Sequence, residues 1–422
     1  MRLDRRQFLA SVGTGLAINQ FCLGETEVPK KKLAIITTEW RYHSHAWHMG
    51  ERFLVGYPRF GRWHHPPFEV VSAYVDQFPE NDLSRERAKE FGFTIYPTIA
   101  ETLRLGGPKL AVDAVLIIGE HGNYPDNELG QRMYPRYPFF EQAVKVFDAD
   151  GCVAPIFNDK HLSWNWDWAE KMVRMARERG IPFLAGSSLP VTWRIPAIDM
   201  PFGAEVEEVM AVAMGGVDSY DFHALEVIQC MVERRKGAES GVVRLEALRG
   251  DAVWQRMELT DWNAGGWDKD LFSAALSRSQ TLAQTPTGSH RYPTMAQMRE
   301  WVKDPIVYRF EYADGLRASM FLLNGLVGDF TFAARLRGKQ DPLSTLFYLP
   351  PVPNVAYSAP LMGRAEETFL TGKAPYPVER TLLTSGLVAA ACRSLKQPGG
   401  WLETPHLSVR YQSRKESLFE NS

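Results

Sequence analysis

Residues 154–194 constrain the fold more than any other stretch of this chain. The short apolar run 155–158 predicts a strand, and apolar side chains then recur at helical spacing over residues 168–176. Ser163 or Asn165 can cap that helix, and a glycine followed by a proline ends it before the next apolar run. Strand, helix and strand in this order predict half of a parallel βαβ unit.

The polar residues that follow these two strands are candidates for a binding site. Asp159, Lys160 and His161 come directly after the first strand, and Ser187 and Ser188 follow the second. In open parallel sheets, ligands bind beyond the carboxyl ends of the strands. We therefore expect these side chains to lie where a ligand binds.

The rest of the chain shows two patterns. Strands alternate with helices over residues 29–195, which predicts an α/β domain with a Rossmann-like, doubly wound parallel sheet. Residues 196–422 predict an α+β domain with a mainly antiparallel sheet, for substrate binding or oligomerisation. Within this second part, residues 203–214 predict a helix, residues 265–293 predict a surface excursion, and a final helix over residues 378–394 is expected to return to the core.

The N-terminus carries an export signal. Arg5 and Arg6 precede a mild apolar region, residues 8–18, and this twin-arginine pattern predicts that residues 1–28 are a signal segment. The apolar region is too short to span a bilayer. We therefore expect a protein without a membrane span, exported by the twin-arginine route to the periplasm or another extracytoplasmic compartment. The formal net charge of −2 provides no basic field for nucleic acid.

Three strand ends in the first pattern carry ionisable side chains. Their residues are, in chain order, His43 and His45, then Glu120 and His121, then Asp159 to His161. Because parallel strands point the same way, these loops are expected to project from one edge of the sheet. Their convergence favours a small-molecule site over solvated loops.

Lys160 and His223 are the strongest candidates for acid–base chemistry. A lysine between Asp159 and His161 can donate to a substrate hydroxyl or carbonyl, although a surface lysine paired with Asp159 explains the same residues. His223 heads an apolar helix, where it suits proton transfer or, equally, a hydrogen-bonded place in the core. The histidines have the chemistry of metal ligands, but their spacing matches no metal motif, so no metal is predicted.

Several segments of the chain resemble one family, among them residues 94–99 and 112–118, which resemble its third and fourth strands. Residues 158–162 (NDKHL), 168–172 (WAEKM) and 179–186 (RGIPFLAG) resemble the lysine motif, the following helix and the next strand of the glucose–fructose oxidoreductase / inositol dehydrogenase (Gfo/Idh/MocA) family. Residues 221–226 (DFHALE) are similar to its G-x-H-x-x-D segment, and residues 369–394 resemble its C-terminal helix. The resemblance spans nearly the whole chain after the signal segment, and the order and spacing of the segments carry it.

This resemblance implies an exported oxidoreductase that acts on a sugar, polyol or glycoside with NAD or NADP. Lys160 falls on the substrate-contacting lysine of the family and would polarise the reacting hydroxyl, and His223 falls on the catalytic histidine and would take its proton. The residues expected to bind the cofactor are Thr37, Thr38, Asp76, Glu120 and His121. Those expected to contact the carbohydrate are His45, Asp159 and His161. A homo-oligomer, if one forms, is expected to use the C-terminal sheet.

The chain departs from the family where the phosphates of the cofactor would bind. The family has a glycine-rich turn after the first strand, whereas residues 37–45 contain no glycine and include Glu39, which would repel phosphate. Two other classes therefore stay open. One is a cofactor-free or metal-assisted carbohydrate lyase or hydrolase that uses the histidines and Glu120, and the other is a sugar-binding protein on a decayed dehydrogenase scaffold.

Overall fold

The computed structural model describes residues 29–286, 290–350, 352–353 and 355–421. The predicted signal segment, residues 1–28, lies outside these ranges. From Lys31 onward the chain forms one compact unit with two large sheets. No helix within the described ranges is long and apolar enough to cross a membrane.

The helices and strands follow one another along the whole of this unit. The strands are β1 (Lys31–Thr37), β2 (Tyr57–Arg59), β3 (Arg62–His64), β4 (Phe68–Val75), β5 (Thr94–Ile95), β6 (Ala114–Ile118), β7 (Ile156–Asp159), β8 (Phe183–Gly186), β9 (Arg194–Ile195), β10 (Val206–Ala213), β11 (Val242–Arg249), β12 (Ile306–Tyr312), β13 (Arg317–Leu322), β14 (Phe330–Leu336), β15 (Leu343–Phe347) and β16 (Leu402–Glu403). The α-helices are α1 (Arg52–Val55), α2 (Ser84–Phe91), α3 (Ile99–Arg104), α4 (Arg136–Asp150), α5 (Trp166–Arg179), α6 (Tyr220–Val232), α7 (Asp251–Met257), α8 (Lys269–Leu276), α9 (Met295–Trp301), α10 (Ser358–Thr371) and α11 (Glu379–Lys396). A π-helical turn, Ala46–Gly50, precedes α1.

The first sheet has the predicted parallel, doubly wound architecture. Its six strands lie in the order β5-β4-β1-β6-β7-β8, and all neighbouring pairs are parallel. All residues of β6 are buried, as expected of a strand that is covered on both faces. The strand order reverses direction between β1 and β6, and ligands of such sheets bind at this switch point. The Rossmann-like prediction is therefore confirmed.

Helix α5 shows how local sequence signals set this architecture. The Asn165 side chain accepts a hydrogen bond from Trp168 N at 3.0 Å, so the second of the two predicted caps begins the helix. Gly180 ends it in the left-handed conformation, with a φ of 63°. The face between these two residues that carries Met172 and Ala176 packs into the core. The helix therefore returns the chain in the direction that a parallel strand needs.

The second sheet is mainly antiparallel, as predicted. Its eight strands lie in the order β16-β11-β12-β13-β10-β14-β15-β9, and β10 with β13 forms the parallel pair among them. Strand β9 belongs to this sheet, because Arg194 and Ile195 pair with β15. The chain thus passes from the first sheet to the second just before residue 196, where the sequence predicts a domain boundary. That boundary stays a prediction, because the whole region from Lys31 onward is one compact unit.

Of two sequence predictions in the second part of the chain, one is wrong and the other holds in part. Residues 203–214 form not a helix but β10, inside the sheet, and residues 209–213 are buried without interruption. A strand covered on both faces has no exposed side, so its apolar run does not differ from that of a buried helix. Residues 265–293 contain α8, whose Leu271 and Phe272 pack on the second sheet. The first part of this segment, to residue 276, is therefore part of the core, whereas residues 277–286 and 290–292 are exposed or half-buried, as predicted for a surface excursion.

One apolar core joins the two sheets. It includes residues of β1 and β6 in the first sheet, of α4, α5, α6 and α11, and of the second sheet. Helix α11 contacts α5, α6 and β11, which confirms the predicted return of the C-terminal helix to the core. This packing brings the first turn of α6 against the loop after β8. Residues from both halves of the chain can therefore meet beyond the carboxyl ends of the parallel strands.

Candidate functional site

Three charged side chains meet beyond the ends of β6 and β7. Lys160 Nζ donates to Glu120 Oε1 at 3.1 Å, and Arg136 Nη2 donates to Glu120 Oε2. Arg136, the first residue of α4, is fully buried, and the other two are nearly so. Burial raises the pKa of Glu120, but the cations of Lys160 and Arg136 outweigh it and hold that pKa well below its usual range. Glu120 is therefore a buried carboxylate with two cationic partners.

The backbone around this cluster is constrained. The φ angles of His121 and Lys160 are 69° and 61°, in a left-handed region that non-glycine residues rarely occupy. Lys160 N also donates to Gly186 O at 3.2 Å, which fastens the turn after β7 to β8. At Gly119 a Cβ atom would lie 2.7 Å from Cγ of Arg136, so glycine lets α4 begin close to the end of β6. These constraints fix Lys160 and Arg136 on either side of Glu120.

A histidine–carboxylate pair lies beside the charged cluster. His45 Nδ1 is 2.5 Å from Asp159 Oδ2. Burial lowers the pKa of His45 to about 3, assisted by the Lys160 cation. Burial, with the Glu120 carboxylate, raises the pKa of Asp159 to about 6. At pH 7 the imidazole is therefore neutral and donates its Nδ1 proton to the Asp159 carboxylate.

His223 and Lys160 line one cavity of about 70 Å³. His45 and Asp159 also line it, so it receives side chains from both halves of the chain. Ser187 Oγ lies 2.7 Å from His223 Nδ1. Burial, assisted by the Lys160 cation, lowers the pKa of His223 well below its ordinary value, so its ring is neutral at physiological pH. The arrangement thus combines a fixed ammonium group with a neutral imidazole.

Sequence reasoning missed several residues at the site, among them Tyr220, which lines the cavity. His48 and Tyr357 line the cavity, with ring centroids 5.7 Å apart. Arg136 donates a hydrogen bond to the Glu120 carboxylate. The position of His48, three residues after His45 on the same helical turn, was a usable signal. Tyr357 and Arg136 gave none, because their approach depends on long-range packing.

The structure does not bring His161 into the cavity. Its Nε2 lies 3.0 Å from Arg136 Nη1, and its ring packs 5.5 Å from that of Phe222. The side chain is buried and does not line the cavity. The geometry therefore gives the predicted substrate contact of His161 no support and makes it a packing partner of Arg136.

The five candidate cofactor residues lie at the carboxyl edge of the first sheet, but none lines the cavity. Thr37 Oγ1 donates to Ile118 O at 3.1 Å and Thr38 Oγ1 donates to Glu120 O at 2.5 Å. These bonds join the ends of β1 and β6 across the switch point. Glu120 is held by its two cations, and His121 packs with its ring centroid 5.0 Å from that of His45.

Residues 119–135, which we name the edge loop, cross the end of the sheet from β6 to β4. Asp76, the fifth candidate, accepts hydrogen bonds from the hydroxyls of Tyr74 and Tyr124 at 2.7 and 2.6 Å. Gln77 exchanges two hydrogen bonds with the backbone of Asn123, at 2.8 and 3.2 Å. Tyr124 of the edge loop therefore bonds the acidic residue that would bind the ribose of a dinucleotide, although this residue stays exposed to solvent.

The turn after β1 offers no phosphate cradle either. Glu39 is buried and forms an ion pair with Arg41 at 2.6 Å. Ser44 Oγ accepts from the backbone N–H groups of Arg41 and Trp47, which occupies donors at the start of the following helix. In this arrangement the turn offers no backbone N–H cradle for a pyrophosphate, whereas Asp76 beyond β4 stays exposed. Within the described ranges, no group of three or more His, Cys, Asp or Glu residues could hold a metal ion.

Comparison with solved structures defines the class of this fold. No protein-family model matches the chain, and no curated protein does. GenD2 from gentamicin A biosynthesis, solved in complex with NAD, has a TM-score of 0.55 at 14% sequence identity and covers 90% of this chain and 98% of its own. The apo scyllo-inositol dehydrogenase of Lactobacillus casei has a TM-score of 0.52 at 9% identity, covering 89% and 98%. A putative myo-inositol dehydrogenase of Sinorhizobium meliloti has the same TM-score at 13% identity, covering 89% and 99%.

These likenesses extend over both sheets, and the class they define is the two-sheet dehydrogenase fold. The inositol dehydrogenases among them are Gfo/Idh/MocA-type proteins. The chain has the Gfo/Idh/MocA fold, in a form without the glycine-rich turn. The family resemblance seen in the sequence is thereby confirmed at the level of the fold.

Proposed function

We propose that the protein acts on a sugar, polyol or glycoside in the cavity that Lys160 and His223 share. The observation that carries this proposal is the meeting of a lysine after β7 and a histidine of α6 at one buried cavity. Two polar atoms of residues that line it, Asp159 Oδ1 and His48 Nδ1, are buried without a hydrogen-bond partner in the described chain. Each such atom costs about 1–3 kcal/mol, which the hydroxyl groups of a ligand would offset.

Lys160 and His223 have complementary roles in this proposal. An ammonium group carries three donors, so Lys160 can hold Glu120 and still donate to a substrate hydroxyl. When His223 donates its Nδ1 proton to Ser187 Oγ, the other ring nitrogen carries a lone pair that can accept the proton of that hydroxyl. The Lys160 cation would stabilise the resulting alkoxide.

We propose NAD or NADP as the redox partner, on the strength of the dehydrogenase fold and the NAD complex of GenD2. Binding of the ribose by Asp76 would compete with the hydrogen bond from Tyr124 of the edge loop. The turn after β1, which offers no phosphate cradle, also favours a second candidate. In it the same acid–base residues act without a dinucleotide, as in a lyase or hydrolase.

Calorimetry with NAD, NADH, NADP and NADPH separates the two candidates. Binding of any of the four, weakened by Asp76→Ala, supports the oxidoreductase, and native mass spectrometry of the purified protein would show a retained nucleotide. Sugar binding that depends on Lys160, without binding of any dinucleotide, supports the second candidate. If neither sugars nor dinucleotides bind, the proposed function is wrong.

We also propose export by the twin-arginine route, on the evidence of Arg5 and Arg6. Replacement of both by lysine should leave the protein in the cytoplasm. Fractionation that recovers the variant in the periplasm at the wild-type level would contradict this route.

A further inference from the structure

A second groove lies next to the cavity and has no role in the proposed function so far. It has a volume of about 250 Å³, and Tyr42, Trp47, Val55 and Pro353 are among its lining residues. His48 lines both this groove and the cavity, so the two spaces lie next to the same residue. We name this space the outer groove.

The two volumes indicate that a ligand occupies both spaces. The cavity alone has a volume of about 70 Å³. Small-molecule sites usually measure about 300–1,000 Å³. The cavity and the outer groove together reach the lower end of that range. A ligand that contacts Lys160 and His223 would therefore extend past His48 into the outer groove.

The outer groove has an aromatic wall. The Tyr42 side chain is 54% exposed, and its ring centroid lies 4.8 Å from that of Trp47. His43 stacks on Trp47 with the ring planes 4° apart and the centroids separated by 5.3 Å. His43, which follows β1, thus supports this wall and does not line the cavity. Such a wall suits a flat ring or the C–H face of a sugar ring, which packs against aromatic faces.

We propose that the outer groove binds a second ring of the substrate, so that the substrate is a glycoside or an oligosaccharide. One sugar unit would lie in the cavity at Lys160 and His223, and the next would stack on Tyr42 and Trp47. This inference rests on the proposed function, because the inner unit is the carbohydrate on which Lys160 and His223 act. It goes further by requiring a substrate with at least two rings.

Titration calorimetry with matched sugars tests the inference. The probes are glucose and galactose, compared with maltose, cellobiose and lactose. At least one disaccharide should bind about tenfold or more tightly than either monosaccharide, the gain expected from one aromatic stacking contact. Tyr42→Ala and Trp47→Ala should abolish that gain while leaving monosaccharide affinity unchanged. Tyr42→Phe, which keeps the ring, should retain it.

Two further variants separate failure of the inference from failure of the proposed function. Phe60→Ala removes an aromatic ring that is 63% exposed and does not line the outer groove, so it should change nothing. Lys160→Met should weaken monosaccharides and disaccharides alike. Monosaccharide binding that needs Lys160, with no added affinity for any disaccharide, would overturn the inference alone. Absence of sugar binding would overturn both, and a Tyr42-dependent affinity for NAD alone would assign the groove to a nucleobase and overturn the inference.

Discussion

Replacement of Glu120 by glutamine tests whether the buried charges behave as one unit. Glu120→Gln preserves the shape of the side chain and removes the carboxylate that bonds both Lys160 and Arg136. The two cations would then remain buried without its charge, and Arg136 is fully buried. Removing one partner of a buried ion pair costs about 3–5 kcal/mol. We expect the free energy of unfolding at pH 7 to fall by that amount.

The expected pH dependence of this loss follows from the pKa of Glu120. Because that pKa is held well below its usual range in the folded protein, the carboxylate stabilises the fold fully above the unfolded-state pKa of about 4.3. Its contribution is lost as the pH falls through the folded-state pKa. The difference between wild type and Glu120→Gln should therefore narrow below about pH 4, whereas between about pH 7 and pH 5 it also reflects Asp159, whose pKa Glu120 raises. Glutamine does not titrate, so the narrowing would come from the wild type.

Urea unfolding followed by tryptophan fluorescence measures both effects. Glu128→Gln changes an exposed carboxylate of the same edge loop and should stay within about 0.5 kcal/mol of wild type. The double variant Glu120→Gln/Lys160→Met should be more stable than the sum of its single losses, because it buries one unpaired cation fewer. A loss at pH 7 below about 1 kcal/mol, the value of a surface ion pair, would refute the reasoning. So would a difference that remains constant down to about pH 3.

Three further predictions follow from the same geometry. Lys160→Met and His223→Ala should each lower turnover about 10²-fold or more, with a joint loss smaller than additive. Turnover is measured per folded molecule, because Lys160 lies in a buried ion pair. A loss of activity that tracks the folded fraction would indicate a structural role. Gly119→Ala should destabilise the protein by about 1–3 kcal/mol, since its Cβ would lie 2.7 Å from Cγ of Arg136. Gly399→Ala, with open space around the new Cβ, is the control in thermal unfolding. Equal melting temperatures of the two variants would contradict the close approach. Asn165→Ala should lower the free energy of unfolding by about 1 kcal/mol through the lost hydrogen bond from Trp168 N, whereas Asn165→Asp should retain the cap. Equal unfolding midpoints for the two variants would argue against this capping role.

The parts of the fold that the sequence predicts are those set by neighbouring residues. The cap at Asn165, the left-handed Gly180 and the buried run of β6 lie within a few residues of the feature they determine. Alternating strands and helices then leave few topologies, because parallel strands need crossover connections. The meeting of Lys160 and His223 at one cavity was expected for a different reason, the resemblance of both segments to a known family.

The remaining features depend on contacts that sequence spacing does not encode. Strand β10 is covered on both faces, so burial removes the alternation by which a strand is recognised. The Arg136 contact with Glu120 depends on the start of α4 approaching the end of β6, which Gly119 allows. The edge loop reaches Asp76 through Tyr124, 48 residues along the chain, and no periodicity predicts such a pairing. The aromatic wall of the outer groove is hard to predict from the sequence. His43 resembles the other ionisable residues at strand ends, although its ring stacks on that of Trp47.

The energetics of the charged cluster argue for a function independently of any family resemblance. Replacement of a complete buried ion group by apolar residues is often neutral or stabilising, so stability alone does not account for Glu120, Lys160 and Arg136 together. Lys160 carries a second cost, since a non-glycine residue in a sparsely populated backbone region costs of order 1–3 kcal/mol, and His121 next to Glu120 shares it. Both costs fall on residues around a cavity with unbonded polar atoms. A ligand that pairs those atoms and contacts the Lys160 ammonium group would offset both costs. Without that ligand, both costs lower the stability of the protein.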